Sequence, residues 1–291
     1  MMAETIARAF GLQRTGREFM GRCPSCSYAS GFSVTERDGA ILLYCHAGGC
    51  SQAELWGALE KAGLGKRKGR REAAERMLRS TRCAATSQGS EAESESRVAA
   101  LAIWRRSRPA LGTIAETYLL EARCCSGPIP SSLRFATGKH PSDPVRWHPI
   151  MVAEVMLDGR MVAVHRTFLR PDGIGKAELD PDKMTLGPCK GAAVQLAPPG
   201  PILAVAEGIE SALSFMHATG IPTWAALSAS GIRNLILPEN VRELVIAADP
   251  DPVGIIAARA AARRCLQEGR AVRIVRPPPN SDFNDLLRAA S

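Results

Sequence analysis

The last third of the chain alternates short apolar runs with segments of helical periodicity. The apolar runs are PILAVAE, PTWAAL, RELVIAAD and AVRIVRP, which begin at residues 201, 222, 242 and 271. Apolar runs without polar alternation are typical of strands buried on both faces of a parallel sheet. Because strands that alternate with helices form right-handed βαβ units, we predict an α/β domain with a parallel sheet over residues 200–291.

The preceding hundred residues follow a different pattern. Residues 97–122 predict two helices that are interrupted near Pro109 and Gly112. Residues 148–169 read as two strands, and the Asp158-Gly159 pair between them is a strong hairpin signal. We therefore predict an α+β middle region over residues 99–199.

The N-terminal segment predicts a small domain of its own. Asp38-Gly39 separates two strand-like runs, and the helix that follows starts with Ser51 and Glu54 as a capping box. A basic run and then small, mostly acidic residues come next, which is typical of a linker. The predicted parts are a small N-terminal domain at 1–65, a linker at 66–98, the middle region at 99–199 and the parallel-sheet domain at 200–291.

Composition narrows the range of partners. The 291 residues carry a formal net charge of +8, which favours a polyanionic partner. Aromatic residues make up 5% of the chain, so the composition gives no indication of a base-stacking surface. No run approaches the ~20 apolar residues of a membrane span, and the N-terminus lacks a secretion signal. We therefore expect a cytoplasmic protein without membrane contacts.

Carboxylates follow the ends of the predicted parallel strands. Glu207 ends the first strand, Asp249 and Asp251 end the third, and Asp282 and Asp285 follow the fourth. Functional side chains gather at this edge of a parallel sheet, and neighbouring carboxylates repel unless a proton or cation lies between them. Each acid alone could be a helix cap or a favourable partner of a helix dipole, whereas the set favours oxygen ligands for Mg²⁺.

Two short segments here resemble the Toprim domain, which bacterial-type primases, type IA and type II topoisomerases and some nucleases share. They are AEGIE at 206–210 and ADPD at 248–251, the latter followed by Gly254. The resemblance implies that Glu207 is a metal ligand or general acid/base and that Asp249 and Asp251 are a metal-binding pair, with Asp282 and Asp285 as later acidic positions. Many relatives have a further acid where this chain has Ser211, so either Glu210 substitutes or one metal site is weaker.

Four of the nine cysteines lie in two closely spaced pairs, CPSC at 23–26 and CHAGGC at 45–50. Cys23, Cys26, Cys45 and Cys50 match the tetrahedral ligands of a structural zinc ribbon, with His46 as an alternative to one cysteine. The wording resembles the zinc-binding domain of primases from phages, plasmids and integrated elements. This resemblance implies contact with a single-stranded DNA template, whereas the plain alternative is a zinc that only stabilises a small fold.

Basic side chains are concentrated in residues 162–188 of the middle region. The wording is similar to a segment that precedes the Toprim domain in mobile-element primases, where it belongs to the basic part of the polymerase cleft. The resemblance implies that Arg166, Lys176 and Lys183 bind a nucleoside triphosphate or the template. A solvated loop with scattered charge is the alternative.

Together these features predict a DNA primase, a nucleotidyltransferase that makes short RNA primers from ribonucleoside triphosphates on single-stranded DNA with Mg²⁺ or Mn²⁺. A Toprim nuclease and a non-catalytic zinc-dependent single-strand-binding replication factor are the alternatives. A topoisomerase is disfavoured because none of the three tyrosines lies in a recognisable strand-passing domain. No phosphate-binding G-x-x-x-x-G-K-[ST] motif is present, so a replicative helicase is expected to be a separate protein.

Overall fold

The computed structural model describes most of the chain and divides it into two compact units. The units are Met1–Ser87 and Gln88–Ser291. The described residues are 2–15, 18–25, 32–37, 40–45, 50, 52–64, 93–125, 127–278, 281 and 283–290. No helix within these ranges is long and apolar enough to cross a lipid bilayer.

The N-terminal unit is built on an antiparallel sheet. Its elements are α1 (Met2–Ala9), β1 (Gln13–Thr15), β2 (Glu18–Gly21), β3 (Phe32–Arg37), β4 (Ala40–Cys45) and α2 (Gln52–Lys61), with strand order β1-β2-β3-β4. Arg37 pairs with Ala40, which confirms the hairpin predicted at residues 38 and 39. Phe32, Val34 and Leu43 pack against apolar residues of the two helices and form the core of this unit.

The first part of the second unit is an antiparallel sheet preceded by helices. Its elements are α3 (93–106), β5 (Arg108–Pro109), α4 (Ile114–Thr117), a π-helical turn (Tyr118–Ala122), β6 (Leu133–His140), β7 (Asp143–Leu157), β8 (Arg160–Phe168) and β9 (Lys183–Leu186). The strands are ordered β5-β6-β7-β8-β9. Asp158 and Gly159 have φ values of 48° and 70°, as a two-residue type I′ turn requires, and Leu157 pairs with Arg160. The predicted hairpin is therefore confirmed.

The second part of this unit contains the predicted parallel sheet. Its elements are β10 (Val194–Gln195), β11 (Ile202–Ala206), α5 (Ile209–Thr219), β12 (Thr223–Ala225), α6 (Ala229–Asn234), β13 (Glu243–Ala247), α7 (Pro252–Gln267), β14 (Ala271–Val275) and α8 (Phe283–Ala290). The strand order is β10-β12-β11-β13-β14, and β11 to β14 run parallel. β10 pairs antiparallel with β12; its two residues are too few to give a periodic signal in the sequence.

One hydrophobic core joins the two sheets of the second unit. Met151 and Ala153 of the antiparallel sheet lie in the same buried cluster as Ala204 and Ala206 of the parallel sheet, with α5 contributing Leu213. The opposite face of the parallel sheet packs against α7. The mixed α/β class is thus confirmed, with a parallel sheet at the C-terminal end. The boundary predicted between residues 199 and 200 falls inside this compact unit and stays a prediction as a domain boundary.

Candidate active site

Two of the predicted acids meet at the carboxyl edge of the parallel sheet. β11 and β13 are neighbours, and Ala206 pairs with Ala247, so Glu207 and Asp249 leave the sheet at the same edge. Both line a cavity of about 170 Å³. The other charged or titratable side chains in its lining are Arg123, His165, Lys176, Lys183 and Glu210. The cavity therefore places acidic and basic groups opposite one another.

The environment of Glu207 resists its ionisation. Burial raises the pKa of this carboxyl from its ordinary 4.5 to about 7, and the negative charges of Asp249 and Asp251 contribute further. The Lys183 ammonium and a hydrogen bond from the Ala229 N–H oppose the rise. A divalent cation among these three carboxylates would remove the cause of the repulsion, so the donor set fits a hard metal ion.

The Asp249–Gly254 turn is shaped by a glycine and a helix cap. A Cβ on Gly254 would lie 2.9 Å from the carbonyl oxygen of Asp249, so this close approach requires glycine. Asp251 is the N-cap of α7, where its Oδ1 accepts a hydrogen bond of 2.7 Å from the Gly254 N–H. The capping role that the sequence left open therefore holds for Asp251. This residue is exposed and does not line the cavity, although its charge acts on Glu207.

The basic side of the cavity comes from the antiparallel sheet. Thr167 pairs with Lys183 and His165 pairs with Thr185, so side chains at these positions share one sheet face. Lys176 reaches the same cavity from the loop between β8 and β9. The buried His165 places Nδ1 2.9 Å from Thr185 Oγ1, and burial followed by the charge of Lys183 lowers its pKa to about 4. His165 is thus neutral at pH 7.

Arg166 lies on the other face of the antiparallel sheet, because successive residues of a strand point to opposite sides. Its guanidinium carbon lies 6.0 Å from the centroid of the Phe168 ring, and burial lowers its pKa. It is absent from the cavity lining. The structure therefore brings Lys176 and Lys183 to the acids and keeps Arg166 apart from them; the predicted nucleotide-binding role of Arg166 stays a prediction.

Glu210, in the first turn of α5, contacts both Tyr118 and Lys176. Tyr118 Oη donates a hydrogen bond of 2.7 Å to Glu210 Oε1, and Lys176 Nζ lies 3.8 Å from the same oxygen. Burial alone would raise the pKa of Glu210, but Lys176, Lys183 and the Tyr118 hydrogen bond lower it to about 2. The carboxylate is therefore ionised and holds Lys176, whose Nζ also lies 3.4 Å from Asp182 Oδ2.

Several site residues carry no signal in the sequence. Tyr118 is 92 positions away from Glu210, and Arg123 Nε donates a hydrogen bond of 3.0 Å to the Tyr118 hydroxyl. Leu227 lines the cavity with a φ of 67°, a left-handed conformation that is unusual for a bulky side chain, and its N–H donates to the carbonyl of Glu207. Leu227 comes to Glu207 because β12 pairs with β11, whereas Tyr118 and Arg123 reach the site only through tertiary packing.

The later acidic positions are not part of the described cavity. Asp282 lies outside the described residues, and Asp285 is an exposed residue of α8 that does not line the cavity. α8 is fixed by its neighbour Asn284, whose Nδ2 donates to the Arg123 carbonyl at 2.6 Å and to Ser214 Oγ at 3.0 Å. The metal-binding role of Asp282 and Asp285 stays a prediction.

Three of the predicted zinc ligands form a cluster in the N-terminal unit. The sulfur atoms of Cys23, Cys45 and Cys50 lie within 4.8 Å of one another, and those of Cys23 and Cys50 are 3.9 Å apart. Tetrahedral Zn–S bonds of ~2.3 Å place sulfur atoms about 3.8 Å apart, so the cluster fits zinc. Cys26 and His46 lie outside the described residues, and the fourth ligand therefore stays a prediction.

Two parts of the chain match models of protein families. Residues 94–196 match a domain of unknown function (DUF7146) and residues 202–291 match the Toprim domain. No curated protein matches the chain.

Several solved structures of primases are similar to the chain in outline. The primase fragment of the bacteriophage T7 primase-helicase protein is 18% identical with a TM-score of 0.39, and the match covers 54% of this chain and 63% of the fragment. A DNA primase domain from Pseudomonas aeruginosa is 17% identical with a TM-score of 0.36, and the match covers 53% of this chain and 52% of that domain. The Aquifex aeolicus primase, with zinc-binding and RNA polymerase domains, is 13% identical with a TM-score of 0.45, and the match covers 99% of this chain and 79% of that one. The AEGIE and ADPD segments lie within residues 202–291, the part of the chain that matches the Toprim domain.

Proposed function

We propose that this protein is a DNA primase that joins ribonucleotides into short primers on single-stranded DNA. The observation that carries the proposal is the cavity in which Glu207 and Asp249 of the Toprim domain face Lys176 and Lys183 of the antiparallel sheet. A nucleoside triphosphate needs both kinds of group, because its phosphates bind cations of the protein directly and carboxylates through divalent metal.

Glu207, Asp249 and Asp251 would hold Mg²⁺ or Mn²⁺. Such an ion, when bound, neutralises charge on the triphosphate and on the leaving pyrophosphate. Because the pKa of Glu207 is raised to about 7, uptake of a cation near neutral pH displaces a proton from this carboxyl. The N-cap hydrogen bond to Asp251 Oδ1 fixes the orientation of that carboxylate before any ligand arrives.

The lysines would bind and orient the triphosphate. Lys176 is held by Glu210 and Asp182, so its ammonium group is positioned without help from the substrate. Lys183 projects from β9 on the face that carries His165. Preorganised cations of this kind stabilise the charge that develops as the primer 3′-hydroxyl attacks and pyrophosphate leaves.

The N-terminal unit would contact the DNA template. Its cysteine cluster fits a structural zinc ion, which would hold the sheet and α2 in place. We further propose that a separate replicative helicase supplies the single-stranded template.

Primer synthesis by the purified full chain tests the proposal. The protein is incubated with single-stranded DNA, labelled ribonucleoside triphosphates and Mg²⁺ or Mn²⁺, and products are resolved on a denaturing gel. We expect a ladder of short RNA that Glu207→Gln or Asp249→Asn removes, because each change takes a negative charge from the metal site. Glu239→Gln, a change at an exposed carboxylate, is the matched control.

Each other outcome rejects the primase assignment. Shortening of labelled DNA without added triphosphates identifies a nuclease. DNA binding that survives both substitutions, without turnover under any condition, identifies a non-catalytic replication factor.

A further inference from the structure

A large aromatic side chain stands in solvent on the antiparallel sheet. Trp147 of β7 is 67% exposed and Val145, two residues earlier, is 80% exposed. Lys139 Nζ of the paired strand β6 lies 5.7 Å from the centroid of the Trp147 ring. An exposed apolar surface of this size does not stabilise the folded chain, and such surfaces commonly mark binding sites.

The backbone beneath Trp147 is firmly held. His140, at the end of β6, is buried, and its ring nitrogens lie 2.6 Å from Ser142 Oγ and 3.0 Å from the Pro181 carbonyl. Its ring packs edge-on against Phe168 with 4.8 Å between centroids. The exposed indole therefore projects from an ordered hairpin.

The sheet register places Trp147 on the same face as the candidate active site. Trp147 and Met151 share a face because they are four residues apart on one strand. Met151 pairs with Thr167, and Thr167 pairs with Lys183, which lines the cavity. At ~3.4 Å per residue, Trp147 lies about 14 Å along the strand from this row, a distance that a few nucleotides of single strand can span.

We propose that Val145, Trp147 and Lys139 form a stacking platform for the single-stranded DNA that runs to or from the cavity. A base would stack on the indole, and the Lys139 ammonium would contact a neighbouring phosphate. The net charge of +8 favours a polyanion such as single-stranded DNA over a protein partner that carries little negative charge. The platform rests on the proposed function, since it assigns the template strand a path on this face. Because aromatic residues make up only 5% of the chain, the inference depends on the position of Trp147 and not on the composition.

Equilibrium binding of a fluorescein-labelled oligothymidylate to the full chain tests the platform. Fluorescence anisotropy is measured without nucleotides or added divalent metal, so the result does not depend on catalysis. We expect Trp147→Ala to weaken binding about 5- to 100-fold and Trp147→Phe to keep most of the affinity. Lys139→Gln is expected to reduce the slope of log affinity against log salt by about 0.7, as loss of one phosphate contact on single-stranded DNA requires.

Leu266→Ala, at an apolar side chain on α7 that is 59% exposed, is the control and should leave affinity unchanged. Wild-type affinity in the Trp147→Ala protein would overturn the platform and point to a protein partner for this surface; so would a wild-type chain that does not bind the oligonucleotide. If Trp147→Ala weakens binding but the wild type makes no primers, the platform stands and the primase assignment fails. If the wild type makes primers and Trp147→Ala binds DNA and makes primers normally, the primase assignment stands and the platform fails.

Discussion

Removal of the Glu207 charge should stabilise the metal-free protein while it abolishes activity. Burial and the charges of Asp249 and Asp251 raise the pKa of Glu207 from 4.5 to about 7 in the folded state. Below pH 4.5 the group is protonated in both the folded and the unfolded chain and has no effect. As the pH rises from 4.5 to 7, the unfolded chain releases its proton while the folded chain keeps it, so the folded state loses stability, and the loss is complete above pH 7.

The size of this effect follows from the difference between the two pKa values. A difference of roughly 2.5 corresponds to about 3 kcal/mol of lost stability above pH 7. In Glu207→Gln the side chain stays neutral, and its amide oxygen can still accept the hydrogen bond from the Ala229 N–H. We therefore expect the free energy of unfolding of the variant, relative to wild type, to rise by up to about 3 kcal/mol between pH 5 and pH 8.

Urea unfolding at pH 5, 6, 7 and 8 measures this difference. The protein is first dialysed free of Mg²⁺ and Mn²⁺, and tryptophan fluorescence is a suitable signal because Trp104, Trp147 and Trp224 all lie in the unit Gln88–Ser291. Saturating Mg²⁺ at pH 8 should stabilise the wild type and leave the variant nearly unchanged. A pH-independent difference between the two proteins would refute the electrostatic account of Glu207, and Glu239→Gln reports any general effect of a lost surface carboxylate.

Three further outcomes are expected. Glu210→Gln should destabilise the chain by about 2–4 kcal/mol in urea unfolding, because it removes the buried counter-ion of Lys176 and leaves the ammonium only the more exposed Asp182; a loss below 0.5 kcal/mol would contradict this. Metal analysis should find one zinc per wild-type chain and less in Cys45→Ser, but a full complement in Cys189→Ser, whose thiol is exposed and outside the cluster. Gly231→Ala should be strongly destabilising in thermal unfolding, because its Cβ would lie 1.9 Å from the Ala226 carbonyl oxygen, whereas Gly57→Ala, with open space in helix α2, should be neutral or stabilising by up to ~1 kcal/mol.

Local rules were sufficient to predict the parallel strands, two hairpins and one edge of the site. The apolar runs gave the parallel strands because a strand buried on both faces has no polar positions. The Asp-Gly pairs predicted both hairpins because Asp-Gly is a preferred sequence for tight turns, and at Asp158-Gly159 both residues have positive φ. The convergence of Glu207 and Asp249 followed from topology alone, since neighbouring parallel strands end at one edge.

The basic side could not be derived in the same way. Strand alternation already separates Arg166 from His165, but which face meets the acids depends on how the two sheets pack. The link between Tyr118 and Glu210 is likewise tertiary, because it joins a π-helical turn to a helix of the other sheet. The sequence motifs identified Glu207 and Asp249, whereas Tyr118 and Arg123 could be identified only from the packed structure.

Glu207 and Glu210 show how packing divides the work of similar residues. They lie three positions apart and line one cavity, yet their pKa values are about 7 and about 2. Lys176 and Lys183 lower the pKa of Glu210, so its charge is balanced within the protein. At Glu207 the negative charges of Asp249 and Asp251 outweigh the positive charge of Lys183. A cation from solution would therefore relieve the Glu207 side and gain little at Glu210. Glu210 in turn holds Lys176 in place through the 3.8 Å ion pair. Two carboxylates of one cavity thus differ in what they require: the lysines keep Glu210 ionised, whereas Glu207 is the one that a bound cation would stabilise.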